Sequence, residues 1–119
     1  MATTVLKPRK NMKKRTISEC HGGVGDLECT VVLTGDDTQD PSLKFCHDDI
    51  LLPGASIGDH LHTSGQEYYL ILSGKGIMTL DGREYPVEAG DIGAVYAGGT
   101  HGLRNTGDES LRFLVMETH

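Results

Sequence analysis

The sequence predicts an all-β domain made of short strands, and three observations support this fold class. Turn signals recur about every ten residues between apolar or β-branched stretches, which is the spacing of a β-sandwich or barrel. Glycine accounts for 16 of the 119 residues, as expected where many tight turns are needed. No stretch combines the helical apolar period with capping residues, so we expect little or no helix. The length is that of a single domain.

Each predicted strand is a short apolar or β-branched segment that ends at a turn signal. In chain order, these strands cover residues 27–34, 43–52, 60–62, 67–73, 77–80, 83–87, 92–96, 101–105 and 111–117. The dipeptide Asp81-Gly82 is a hairpin signal between two of them. The polar segment 35–42 is predicted to be a loop, and the glycine-rich segment 22–25 is predicted to be a turn or a close backbone contact.

Charge divides the chain into a basic start and an acidic remainder. Residues 1–16 hold six bases and no acid, whereas residues 17–119 hold five bases and 17 acids. We expect residues 1–16 to form a flexible arm and residues 17–119 to form the barrel domain. The arm could instead contact RNA, an acidic partner or the protein's own body. The acidic domain itself argues against a nucleic-acid partner for the folded part.

Cysteine usage and hydropathy indicate a cytoplasmic protein. The three cysteines, Cys20, Cys29 and Cys46, are odd in number and show no C-x-x-C spacing, so we expect no disulfide framework. The chain has no apolar run of the roughly 18 residues that a membrane span requires. It also begins without the apolar core of a signal peptide.

Two histidines one residue apart suggest a metal site. Because alternate side chains of a strand share a face, His60 and His62 are expected to point into the same space and suit a divalent ion. Glu67 would face the other way on an unbroken strand, but a turn at residues 63–66 allows it to face inward. His101 could complete the site from a later strand. Three nitrogens and one oxygen leave room for water or substrate, as catalysis requires.

Two segments resemble the motifs of the cupin family. Residues 54–74 match the pattern G-x5-H-x-H-x4-E-x6-G at every fixed position. Residues 90–105 match the pattern G-x5-P-x-G-x2-H-x3-N, with Tyr96 in the place of the proline. The 15 residues between the two motifs are the short spacing of small single-domain microbial members.

The resemblance implies a double-stranded β-helix, which is a jelly-roll barrel. It also implies that His60, His62, Glu67 and His101 are the ligands of one divalent transition metal. Manganese or iron is the preferred ion, and zinc, nickel, cobalt and copper are alternatives. The Gly22–Gly25 segment near the start is similar to that of oxalate-decarboxylase-like cupins.

We therefore expect a metalloenzyme that acts on a small organic acid or a similar oxygen-rich molecule, by decarboxylase, lyase, isomerase or dioxygenase chemistry. The metal would polarise a substrate oxygen while a side chain moves a proton. Tyr69 is the first candidate for that side chain because it shares the face of Glu67, and His47 is the second. Tyr96 and Glu117 are further candidates. Strand alternation places no lysine or arginine securely in the pocket, which weakens the organic-acid interpretation.

Other functions stay open at this point. The chain could be a non-catalytic, metal-dependent binding or sensor module, for which the basic arm is the obvious link to a partner. A storage-type cupin with an unused site is a third option, although four intact ligands argue against it. We also expect a homodimer, because Leu70 and Leu72 lie on the face opposite to Glu67 and make the outer side of the barrel partly apolar.

Overall fold

The computed structural model describes residues 4–39 and 42–119, and it confirms the all-β prediction. The strands of the described residues are β1 (Lys13–Ser18), β2 (Asp26–Thr34), β3 (Leu43–Leu51), β4 (Ser56–Leu61), β5 (Gln66–Ser73), β6 (Lys75–Leu80), β7 (Arg83–Glu88), β8 (Ile92–Tyr96), β9 (Thr100–Arg104) and β10 (Leu111–Thr118). One antiparallel sheet has the order β1-β2-β3-β10-β5-β8, and the other has the order β4-β9-β6-β7. Buried side chains from both sheets form one core, so the sheets pack face to face as a jelly-roll barrel.

The strands predicted from the sequence are all present, with small differences at their ends. The largest difference is at β4, which begins at Ser56 and so starts earlier than predicted. The predicted loop 35–42 contains a one-turn helix, α1 (Gly35–Thr38), which begins at a capping box on Thr34. Residues 40 and 41 of that loop lie outside the described part of the chain. Within the described residues, no helix has the length and apolar character that crossing a membrane would require.

The boundary predicted between a flexible arm and the barrel needs correction. Residues 13–16, which we expected in the arm, belong to β1 and pair with β2 in an antiparallel register. This strand lacks the alternating apolar pattern that predicts a strand, because most of its residues are basic or polar. Its one large apolar residue, Ile17, packs against the core. The barrel therefore begins at residue 13, and residues 1–3 of the predicted arm lie outside the described part.

The segment before β1 contacts the acidic body of the same chain. The Nζ atom of Lys7 lies 2.7 Å from a carboxylate oxygen of Asp37. Arg9 donates a hydrogen bond of 2.9 Å to the carboxylate of Asp48, and it begins a single 3-10 turn, Arg9–Asn11. The basic segment therefore contacts the body of its own chain, which was one of the partners considered for it.

The interior of the barrel is apolar at one end and polar at the other. Along β10, Leu111, Phe113 and Val115 are buried and point inward, and Glu117 continues the same row. Glu117 lies directly opposite Glu67 on β5, so the row changes from apolar to acidic on both strands. This polar end is where the fold brings the predicted ligands together.

Candidate metal centre

Three histidines and one glutamate converge at the polar end of the barrel. His60 lies on β4 and pairs directly with His101 on the neighbouring strand β9. His62 follows the end of β4, whereas Glu67 comes from β5 in the opposite sheet. The structure therefore brings together the four residues that the sequence predicted, and both sheets contribute to the cluster.

The donor atoms of this cluster are close enough to share one ion. The Nε2 atom of His101 lies 3.0 Å from the Nε2 atoms of both His60 and His62. The Oε1 atom of Glu67 lies 2.9 Å from Nε2 of His101 and 3.3 Å from Nε2 of His62. Adjacent ligands of an octahedral ion with bonds of about 2.1 Å are about 3.0 Å apart, so these separations fit.

The hydrogen-bonding capacity of the three imidazoles also favours a cation. A neutral imidazole carries a single N–H, so three Nε2 atoms that face one another cannot all be satisfied by hydrogen bonds. The Nδ1 atom of His60 lies 2.8 Å from the carbonyl oxygen of Gly58, which can only accept a hydrogen bond. Nδ1 therefore carries the proton, and the lone pair on Nε2 points into the cluster. The cluster can hold a divalent metal with positions to spare for water or substrate.

Backbone hydrogen bonds from the loop after β8 hold His62 in place. The amide of His62 donates to the carbonyl of Gly99 at 2.9 Å, and the amide of Gly98 donates to the carbonyl of His62 at 2.7 Å. Gly98 has a φ of 92°, which favours glycine. Tyr96, which replaces the proline of the motif, has an exposed side chain and accepts a hydrogen bond from Gly99 through its carbonyl. The loop thus keeps its contact with His62 despite the tyrosine.

Burial affects the acid and the base of the cluster in opposite ways. Burial and a hydrogen bond with Glu117 raise the pKa of Glu67 to about 7. Burial and the charge of His62 lower the pKa of His101 to about 4. The His101 ring is therefore in the neutral form that binds metals, whereas Glu67 requires a nearby cation to be fully ionised at neutral pH.

Glu117 and Lys44 form a charged pair beside the cluster. The Oε1 atom of Glu117 lies 3.6 Å from Nδ1 of His62, and its other carboxylate oxygen lies 3.0 Å from Nζ of Lys44. Pairing between β3 and β10 skips Lys44, because Glu117 pairs with Phe45 and the register then shifts. Such a bulge reorients one side chain. Strand alternation alone therefore could not show that a cation lies next to the site.

Tyr69, the first candidate for proton transfer, is buried against the cluster. Its ring stacks on His101 with centroids 4.4 Å apart, and only 3% of the residue is exposed. Burial, together with the charge of Glu67, raises the pKa of Tyr69 well above its ordinary value. The hydroxyl group therefore stays protonated next to Glu67, where it can orient the carboxylate. An acid–base role for Tyr69 stays a prediction.

His47, the second candidate, lies in a different group of side chains. Its ring stacks on Phe45 at a centroid distance of 4.2 Å, and one of its nitrogens lies within 4.8 Å of ligand atoms of Cys29 and Asp49. Burial lowers the pKa of His47 to about 4. The structure thus places His47 apart from the four predicted metal ligands, and its catalytic role stays a prediction.

His21 is a contact of the site that the sequence did not reveal. It lies in a second 3-10 turn, Cys20–Gly22, and its ring stacks on His60 at 3.6 Å with only 11° between the planes. The backbone at His21 can approach β4 this closely because residue 58 is a glycine. A side chain at Gly58 would collide with the carbonyl of His21. The glycines after His21 were the available signal, since they predicted a close backbone contact in this segment.

Comparison with known proteins identifies the family. A family model described as a cupin domain matches residues 49–117, a span that includes the whole cluster. This chain belongs to the cupin family. The resemblance inferred from the two motifs is therefore confirmed, and the double-stranded β-helix that it implied agrees with the observed pair of antiparallel sheets.

Relatives of this cupin include one in Thermotoga maritima, and one of the similar solved structures comes from the same organism. An oxalate-binding protein is 34% identical over 100 residues, which covers 84% of this chain and 82% of the relative. The crystal structure of a predicted oxalate decarboxylase has a TM-score of 0.88 and 29% identity, and the match covers 96% of this chain and 98% of that one. A conserved Klebsiella pneumoniae protein with a double-stranded β-helix domain has a TM-score of 0.65 and 27% identity, over 75% of this chain and 73% of that one.

Proposed function

We propose that this cupin holds one divalent transition metal, preferably manganese or iron, and uses it to bind and transform a small organic acid. The observation that carries the proposal is the convergence of four donor atoms from His60, His62, Glu67 and His101 at the polar end of the barrel. Such a metal supplies Lewis-acid stabilisation of charge on a substrate oxygen and open positions for that oxygen. Reaction types that fit are those of a decarboxylase, lyase, isomerase or dioxygenase.

Oxalate is the first substrate to test. The relative from Thermotoga maritima is named for oxalate binding, and the solved structure from the same organism is described as a predicted oxalate decarboxylase; each match covers most of this chain. The Lys44 ammonium supports an anionic substrate, because it lies beside the cluster and its side chain is about half exposed. When a substrate carboxylate pairs with Lys44 in place of Glu117, the Glu117 carboxylate would be free to accept a proton.

The neighbouring side chains have separate tasks in this proposal. The hydrogen bond from His60 to Gly58 fixes the orientation of one imidazole. The Tyr69 hydroxyl holds Glu67, and Glu117 is the group best placed to take or return a proton, since it lies within 3.6 Å of the His62 ring. His47 and Tyr69 remain secondary candidates for acid–base work.

A binding or sensor module without turnover is the second candidate function. The buried position of Tyr69 favours it, because a side chain with 3% exposure is poorly placed to reach a substrate directly. The relative from Thermotoga maritima is likewise named for binding rather than for a reaction. In this case the metal would serve only to recognise the acid.

The two functions separate in one experiment. Protein purified without added metal is analysed for bound metals, then titrated with oxalate and related acids by calorimetry, while products are followed under air. His119 is exposed beyond the end of β10 and belongs to neither ligand group, so it provides a control. Loss of both binding and product in His60→Ala, with both retained in His119→Ala, supports the enzyme. Binding without product supports the sensor. A wild-type protein that retains no transition metal and binds none of the acids contradicts both functions.

We also propose a homodimer in a reducing, cytoplasmic location. Leu72 and Ile92 lie on the outer side of β5 and on the edge strand β8, and they are 38% and 58% exposed. Partly apolar outer faces are often covered by another subunit. The proposed location rests on the cysteines of the sequence, whose odd number and spacing argue against a disulfide framework. Light scattering at micromolar concentration tests the dimer, and the mass of a single chain would contradict it.

A further inference from the structure

A second group of potential ligands lies on the inner face of β2 and β3. A ligand atom from each of Cys29, His47 and Asp49 lies within 4.8 Å of the others. The strand register creates this group, because Cys29 pairs directly with Asp49 and His47 lies two residues before Asp49 on the same face. A thiol, an imidazole and a carboxylic acid thus meet inside the barrel.

One atom of this group lacks a partner. Asp49 is only 4% exposed, and Cys29 only 1%. Oδ1 of Asp49 is the one buried side-chain oxygen or nitrogen without a hydrogen-bond partner among residues 4–39 and 42–119. The Cys29 thiol hydrogen-bonds the carboxyl group of Asp49 but leaves Oδ1 without a partner, and native folds rarely leave a buried polar atom in that state. The adjacent Asp48, on the outer face of the same strand, is by contrast bound by two arginines.

The donor types indicate which partner Asp49 lacks. Cysteine sulfur, histidine nitrogen and aspartate oxygen are the ligands of tetrahedral zinc sites, and sulfur selects thiophilic ions over manganese or magnesium. A thiolate and a carboxylate would together neutralise a divalent charge. In the binding step the ion bonds to the Cys29 sulfur and to an Asp49 oxygen, and the thiol proton, with the carboxyl proton where Asp49 holds one, leaves to solvent.

We propose that Cys29, His47 and Asp49 form a second metal site, which takes a thiophilic divalent ion such as zinc and leaves its fourth position open. The site is distinct from the histidine cluster. Asp49 lies opposite Phe113, the ring of Phe113 contacts the ring of Tyr69, and Tyr69 stacks on His101. The two groups share no ligand, although burial raises the pKa of Asp49 and the charge of Glu67 contributes to that rise.

Arg15 places a positive charge next to this site. It lies directly opposite Cys29 on β1, and its positive charge acts on the thiol, whose pKa burial raises and this charge lowers. The residue is exposed, so the side chain can turn outward when an ion arrives. Its positive charge competes with the ion, and Arg15→Gln should therefore tighten metal binding about three- to tenfold.

Cobalt titration of the full-length, metal-free protein tests the proposal. Wild type should bind one Co²⁺ that shows a thiolate-to-cobalt charge-transfer band in the near ultraviolet. Cys29→Ser should lose this band, whereas Cys46→Ser should keep it, since Cys46 is a half-buried cysteine on the opposite face of β3. Asp49→Asn, which has the same shape, should weaken binding at this site at least about tenfold.

The outcomes also separate this site from the proposed function. His60→Ala should bind one Co²⁺ fewer than wild type, because the ion of the histidine cluster, which has no thiolate ligand, is lost. The thiolate-to-cobalt band of the second site should remain in this variant. Absence of the band in wild type, or its survival in Cys29→Ser, would overturn the second site. Should Cys29→Ser fail to fold, an unchanged cobalt affinity in Asp49→Asn would overturn it instead.

Discussion

The two ligand groups inside this barrel differ in what a metal ion would have to displace when it binds. In the histidine cluster, the donors around His101 are 2.9–3.0 Å apart, which is the spacing of ligands already arranged around an ion. The ligand atoms of Cys29, His47 and Asp49 lie within 4.8 Å of one another, and an arginine occupies the opposite strand. The first group is preorganised, whereas an ion that binds the second must displace a competing positive charge.

The largest expected effect comes from the preorganised group. His101→Ala removes the donor that lies within 3.0 Å of three other donor atoms. We expect the affinity for Mn²⁺ or Fe²⁺ to fall at least about 1000-fold, or ~4 kcal/mol. Competition with a chelating dye measures this change. His119→Ala is the matched control, and an unaltered affinity in His101→Ala would show that the cluster is not the metal centre.

The next effect concerns the second group in metal-free protein. Burial raises the pKa of Asp49 from 3.8 to about 7, so the folded state holds a proton that the unfolded state has lost between these values. Ionisation of Asp49 therefore lowers stability as the pH rises through this window. Asp49→Asn should be about 2–4 kcal/mol more stable than wild type above pH ~7, with little difference near pH ~4.

Chelator-treated samples unfolded in urea at several pH values measure this difference. The gain in stability should accompany the loss of cobalt affinity in the same variant, because the buried charge that destabilises the metal-free fold is the charge that would bind the ion. A variant that is less stable than wild type above neutral pH would show that Asp49 is satisfied in the fold.

The neighbouring carboxylate should respond to pH in the opposite direction. Hydrogen bonds from Arg112 and Arg9 lower the pKa of Asp48, so its stabilisation is complete above the ordinary aspartate pKa and is lost as the pH falls through the lower, folded value. We expect Asp48→Asn to cost about 1–2 kcal/mol at neutral pH, since both arginines are half exposed and screened. Urea unfolding at pH ~7 and ~3 tests this, and an equal cost at both would contradict the assignment.

The smallest expected effect concerns the ring that covers His60. His21→Ala removes a stacking contact of 3.6 Å, worth about 1 kcal/mol, so metal affinity should fall by about three- to tenfold. Val24→Ala is the control, because Val24 is 65% exposed in the same segment. Identical affinities in the two variants would mean that His21 does not orient His60.

The histidine cluster was predictable because its signals are local. His60 and His62 are adjacent on one face of a strand, and the two motifs around them fix the order of turns and strands. Short strands bounded by glycine turns also gave the fold class, and the observed strands from β2 onward agree with it.

The second group and the neighbours of the site depend on features that a single sequence does not display. Cys29 and Asp49 meet only through the pairing of β2 with β3. Lys44 reaches Glu117 through a bulge in the pairing of β3 with β10. His21 requires a left-handed backbone, with a φ of 51° and a ψ of 37°, that is unusual for a histidine. Register, bulges and strained backbone are set by tertiary packing rather than by local composition.

Metal content of wild type and His60→Ala, purified side by side without added metal, tests the central claim most directly. Mass spectrometry of the bound elements should find one equivalent of manganese, iron or another transition metal in wild type that is missing from His60→Ala, while any zinc held at Cys29 stays in both. Equal metal content in the two folded proteins would contradict the assignment of the histidine cluster as the metal centre.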